Sequence, residues 1–263
     1  MVVQRHGAGR AGAMVTAAVV GGVIAAAAGC GGAGAEITSG PAPDPAAVVR
    51  TVADRLVAAG SSQATTSMEM ATGGTRVTIR GRGTYDFRRR TGELTVILPQ
   101  DAKGTPGRLP ITELFAPGAL YMKNRGAGVP ADKWVRVDTA TLADGNLVTG
   151  GATDPYAAAE LLRGAQGVTY VGEESLAGVR VRHYRGSAPL PAKVAKGFSR
   201  ATVPFDAYVD EAGRLCKVRE QFSYVNQGRP VAVASTTLLS GFGAAVTVRL
   251  PQARDIFDGK IQP

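Results

Sequence analysis

The chain has 263 residues with a formal net charge of +9, and 44% of it is hydrophobic but only 6% aromatic. That length suits one domain with a sizeable core. The basic residues are scattered along the chain instead of gathered with aromatics, which argues against a nucleic-acid surface and reads instead as solvated strand faces, with a mild attraction to anionic lipid headgroups.

Residues 1–12 carry Arg5 and Arg10 and no acid, and residues 13–29 carry no charge at all. An apolar run of about 17 residues, rich in Gly and Ala, is a weak candidate for a membrane span and a good one for a signal peptide. It ends in Ala27-Ala28-Gly29-Cys30, which resembles the lipobox of bacterial lipoproteins, with Ala27 standing where Leu is usual. The resemblance implies a diacylglyceryl group on the Cys30 sulfur and cleavage before it. The partner is then the cell membrane, on its outer face and held through acyl groups, an anchor that two or three chains make effectively permanent. An ordinary secretory signal cut at a nearby small-residue site is the competing reading. The expected organisation is a signal peptide over 1–29, a lipidated cysteine and Gly/Ala/Pro-rich tether over 30–43, and one domain over 44–263.

Asp44-Pro45 reads as an N-cap followed by proline in the first turn, and Val48, Val49, Val52, Leu56 and Val57 recur at helical spacing up to Gly60. From Gln63 the period changes to two. Thr66, Met68 and Met70 alternate with polar residues, Gly73-Gly74 marks a tight turn, and Arg76 to Arg80 alternates again towards Tyr85 and Phe87. Further strands are predicted over 94–98, 119–122 and 134–138. Asp154-Pro155 then opens a second helix through Leu161 and Leu162 to Gly164. Strands return over 168–171, 179–184, 204–209, 215–224, 231–238 and 245–250, with a hairpin turn at Asp210-Glu211-Ala212-Gly213 and room for one short helix within 188–199. Ten or eleven strands in series, interrupted by two or three helices, make an α+β antiparallel pattern.

Several segments in this order resemble a known family. They are the helix from Asp154-Pro155 to Leu161-Leu162-Arg163-Gly164, the run Val168-Thr169-Tyr170-Val171-Gly172-Glu173-Glu174, and Gly178-Val179 leading to His183-Tyr184-Arg185-Gly186. Lys133-Trp134-Val135 and Phe205-Asp206-Ala207-Tyr208-Val209-Asp210 before Gly213-Arg214-Leu215 complete the set. Over 44–250 the chain is similar to actinobacterial lipoproteins of the LppX/LprA/LprF/LprG type. The resemblance implies a LolA/LolB-like fold, a strongly curved antiparallel half-barrel sheet wrapped around helices, with a hydrophobic cavity that accepts an acylated lipid or glycolipid. Candidates for its lining are Val52, Leu56, Met68, Met70, Val77, Ile79, Leu94, Val96, Leu98, Leu161 and Leu162, for each of which simple core packing is the alternative.

Chemistry is harder to find than binding. The chain from residue 30 onward holds one histidine, His183, so a metal site there would depend on carboxylates, and no nucleophile-elbow, zincin, P-loop or CxxC pattern occurs. Glu173 and Glu174 are adjacent and read as solvated turn residues; His183 reads as a structural hydrogen-bonding residue. Cys216, left without a partner once Cys30 is acylated, is expected to be shielded in its strand. The expected function is therefore non-enzymatic and cofactor-free: binding a lipid or glycolipid, with shuttling or sensing as its use. The alternative is an envelope interaction module with a filled core. No protein partner is identified by the sequence.

Overall fold

The computed structural model describes residues 44–99, 109–126, 128–142, 144, 147–148 and 154–259; Cys30 and the segments expected to be signal peptide and tether lie outside them. Asp44 starts the first helix as expected, its carboxylate accepting from Ala46 N at 3.1 Å and Ala47 N at 3.3 Å. The predicted single helix is two: α1 (Pro45–Arg50) and α2 (Val52–Ala59). The Thr51 hydroxyl donates to the Val48 carbonyl at 2.9 Å, competing for the acceptor that continues a helix, in a β-branched stretch of low helix propensity. Gly60, with φ +88°, ends α2.

Eleven strands follow: β1 (Ser61–Thr72), β2 (Thr75–Asp86), β3 (Thr91–Ile97), β4 (Ile111–Ala116), β5 (Ala119–Lys123), β6 (Trp134–Asp138), β7 (Gln166–Leu176), β8 (Val179–Pro189), β9 (Thr202–Asp210), β10 (Leu215–Asn226) and β11 (Arg229–Ser240). They form one open, curved antiparallel sheet in the order β6-β5-β4-β3-β2-β1-β11-β10-β9-β8-β7. A sheet this wide must curl, and helices on the inner side let it do so without closing. Strands consecutive in the chain pair with one another except β6 and β7, whose connection links the two edges of the sheet; the last strand, β11, thus pairs with the first, with Met68 opposite Ser235. α3 (Pro155–Leu161) interrupts the series between β6 and β7, and α4 (Ala192–Ala195) between β8 and β9.

Two differences from the predicted strands offset one another in number. β4 was not predicted, because Glu113 sits fully buried at an inward position where the alternation calls for an apolar residue. The predicted strand at 245–250 is not one. Both edges of β11 are already taken by β1 and β10, so the segment after it has no free ladder. It runs on instead to the β6 edge, where Ile256 bridges Trp134 in parallel and Phe257 N donates to Trp134 O at 2.8 Å. One edge of the sheet is thus covered by the chain's own C-terminal segment.

α2 and α3 pack against β10 and α1 against β7. Beneath them, cross-strand neighbours line up in register, Phe205–Glu220–Ser235–Met68–Ile79 across β9, β10, β11, β1 and β2, and all five are buried.

Candidate functional site

The eleven apolar candidates divide by depth. Val52, Leu56, Leu94, Val96, Leu162, Met68 and Ile79 are buried members of one continuous core cluster, and Met70, Val77, Leu98 and Leu161 pack half-buried against it. Leu161 borders an apolar cavity beside α3. The space beside α3 is therefore one place where a ligand of appreciable size has room.

α3 is set by its cap. Asp154 accepts from Tyr156 N at 2.8 Å and from Ala157 N at 3.4 Å, and Pro155 follows it where a missing N–H costs nothing. Burial pushes the Asp154 pKa up, with the backbone hydrogen bonds and the nearby Tyr85 hydroxyl and Arg90 charge pulling the other way. Desolvation and the neighbouring Asp154 hold the Tyr85 phenol well above its usual value. Tyr156, Ala158 and Ala159 face inward, which leaves Ala157, Glu160 and Leu161 half-buried on the outer side.

On that outer side lies a cavity of about 360 Å³ bounded by Leu147, Ala157, Leu161, Pro189, Pro191 and Val194, with Glu160 at its margin. Small residues and prolines make it. A Cβ on Gly164 would come within 3.0 Å of the Pro189 ring, so α3 can end directly against the end of β8. Pro191 N-caps α4 and turns Val194 towards the helix, and Lys193 Nζ donates to the Ala140 carbonyl, tying α4 to the turn after β6. The volume is within the range of small-molecule and acyl-chain sites.

The polar residues singled out from sequence fall elsewhere. Glu173 and Glu174 are in the body of β7, not in a turn. His183 is buried, its Nε2 donating to the Asp206 carboxylate at 2.8 Å, stacked on Tyr208 with ring centroids 4.3 Å apart, and its Nδ1 lies 2.9 Å from Glu174 without hydrogen-bond alignment. Burial raises the Asp206 pKa, but hydrogen bonds from His183 and Arg185 outweigh it and the net direction is down. This is an ion-pair network on the outer side of the sheet, remote from α3. Cys216 is a buried free cysteine whose thiol is pushed up to about 11, by burial first and then by Asp210, which leaves it in the unreactive protonated form.

Sequence reasoning missed Glu220. It is 1% exposed, its Oε1 has no hydrogen-bond partner among the described residues, and burial pushes its pKa up to about 8. Its signal was present: in the run Val218-Arg219-Glu220-Gln221-Phe222 the glutamate occupies the phase of Val218 and Phe222.

No protein-family model matches the chain, and no curated relative matches it. Among solved structures, the lipoprotein LppX of Mycobacterium tuberculosis superposes with a TM-score of 0.50 at 12% identity, over 78% of this chain and 98% of that one. LprF of Mycobacterium bovis matches with a TM-score of 0.41 at 14% identity, covering 80% of this chain and 98% of its own. A LolA-superfamily protein of Nitrosomonas europaea matches with a TM-score of 0.35 at 11% identity, over 82% and 99%. The fold assignment rests on the first of these together with the strand order: the domain has the fold seen in LppX, an open antiparallel sheet with its helices on one face.

Proposed function

We propose that this protein is an exported lipoprotein, held at the outer face of the cell membrane by acyl groups on Cys30, and that its domain binds the acyl portion of a lipid or glycolipid without covalent chemistry. The observation that supports this most directly is the apolar cavity beside α3, on a fold of the LppX type. Leu161, Pro189, Pro191 and Val194 offer hydrocarbon with few donors or acceptors, which suits a chain that has nothing to hydrogen-bond. Carriage or sensing is the use such a site has in a protein anchored beside the bilayer.

Native mass spectrometry of the chain made without its own acylation is the test. A mass increment that a lipid extract restores after delipidation is expected; a clean unliganded mass under both conditions overturns the reading. It would favour the interaction module instead, which the continuous packing beneath α2 also fits. The anchor is tested separately. Cys30→Ala should abolish labelling by a clickable fatty acid and leave the precursor uncleaved at that site, and labelling equal to the unsubstituted protein would place the anchor elsewhere.

A further inference from the structure

α3 has a second flank. There a cavity of about 350 Å³ is bounded by Tyr85, Arg90, Thr139, Asp154 and Tyr156 and by the turn from Ala116 to Ala119. It shares Ala157 and Glu160 with the apolar cavity, so the two border the same helical turn.

We infer that this second cavity is an oxyanion subsite in which Arg90 receives the phosphate or carboxylate headgroup of the acylated ligand whose chain lies across Ala157. The inference rests on the acyl-binding reading above and adds the chemistry of the headgroup to it.

The cavity holds free donors beside its two carboxylates. Asp154 accepts two backbone N–H groups and lies near Tyr85 and Arg90. Glu160 pairs with Arg163 at 2.7 Å, and Arg163 in turn forks onto Asp54 at 2.7 and 2.9 Å. Arg90 takes part in no ion pair among the described residues. Its Nη2 donates to the Tyr156 hydroxyl at 3.2 Å, and its guanidinium lies 4.7 Å over the Tyr156 ring. One donor is used, the ring steadies the plane, and the remaining N–H groups of the fork suit two oxygens of a phosphate or carboxylate.

The neighbouring arginines show that this is specific to Arg90. Arg88 caps α2 through the Val57 and Ala58 carbonyls at 3.2 and 2.9 Å, and Arg89 pairs with Asp86 at 2.8 Å. Of three consecutive arginines in one turn, the third has a single side-chain hydrogen bond among the described residues, feels the charge of nearby Asp154 without pairing with it, and lines a cavity. It is also held where a side chain is disfavoured. Arg90 has φ +55°, in the left-handed region that Gly or Asn occupies at lower cost. The wall behind it is rigid: a Cβ on Gly92 would lie 2.4 Å from the Tyr85 ring, so the glycine is what lets Tyr85 close on the turn and reach Asp154.

The test compares headgroups on one chain length. The full chain carrying Cys30→Ala is titrated with a fluorescent fatty acid, its methyl ester and the corresponding alkyl phosphate, and with inorganic phosphate as competitor. The acid and the phosphate should bind roughly tenfold tighter than the ester, the range of one charge-assisted fork. Arg90→Gln should remove that preference and leave ester affinity unchanged, while Arg90→Lys keeps part of it. Arg90→Asn should remove it with a melting temperature equal to or above that of the unsubstituted protein, since strain is relieved; this separates loss of the fork from loss of the fold. A headgroup preference that survives both Arg90→Gln and Arg90→Asn, or none in the unsubstituted protein, overturns the subsite. Competition by inorganic phosphate as strong as that by the alkyl phosphate supports the oxyanion chemistry and overturns its lipid source. If neither acid nor ester binds, the acyl-cavity reading has failed, and the phosphate arm still decides whether Arg90 binds an oxyanion.

Discussion

The space beneath the helices and the space beside α3 are built from the same residue types and end in opposite states. Beneath α2 and α3, Leu56, Leu94, Val96 and Leu162 interdigitate with no accessible surface left, in a core that continues across the sheet. Beside α3, Leu161, Pro189 and Val194 face one another across about 360 Å³. Side-chain shape accounts for the difference. Branched aliphatics on regular elements can fill the gaps between one another, whereas prolines at the end of a strand and the small residues of α3 cannot extend into the space they bound.

The largest expected departure between the two regions is at Glu220, a carboxyl in the filled space whose Oε1 has no hydrogen-bond partner among the described residues. Its folded pKa of about 8 lies above the usual value of 4.5. Below the lower value both folded and unfolded chains hold the proton and the group is neutral in its effect. Between the two the unfolded chain gives its proton up first, so stability falls as pH rises and levels off above about 8. Glu220→Gln removes this and should raise stability at pH 8 by a few kcal/mol relative to pH 4, in order of magnitude. Parallel pH–stability curves for the two proteins would show that the carboxyl is solvated in the folded state.

Overpacking comes next. Leu56→Trp enlarges a residue with 0% exposure and should cost about 1 to 3 kcal/mol in denaturant melts; an unchanged midpoint would mean that space exists beneath α2 after all. Asp154→Ala removes the cap of α3, at a cost of about 1 kcal/mol. Because Tyr85 and Tyr156 also wall the polar flank, the same variant should weaken binding of charged amphiphiles more than of their methyl esters. Leu161→Trp should be the mildest for stability, within about 0.5 kcal/mol, since the indole can enter the apolar cavity. Acyl-probe binding should fall, however, and a loss of stability equal to that of Leu56→Trp would erase the distinction between the two regions.

Much of this molecule was legible before the structure. Asp44-Pro45 and Asp154-Pro155 mark helix starts because the cap and the proline act within a few residues of chain. Gly73-Gly74 marks its hairpin because both central positions need positive φ, observed at +54° and +82°. Alternation along β1, β2 and β9 to β11 identifies the sheet for the same reason, one face being buried and the other not. What escaped is equally local in origin. Thr51 splits a helix that spacing alone makes continuous, and Glu113 disguises β4 by placing a carboxyl at an inward position.

The sequence by itself determined the α+β series, the helix caps, the turns and the apolar residues available for the interior, because each depends on neighbours within a few positions. Tertiary structure alone decided which of those apolar residues fill a core and which bound a cavity. It also decided that residues 245–250 have no strand to pair with, that Glu220 is buried with no partner for Oε1 among the described residues, and that Arg90, not Arg88 or Arg89, lines a cavity with most of its donors unspent. Each of these depends on elements dozens to more than a hundred residues away, such as Tyr156 over Arg90 or Pro189 against Gly164. Packing and pairing between such elements leave no periodic trace in the chain.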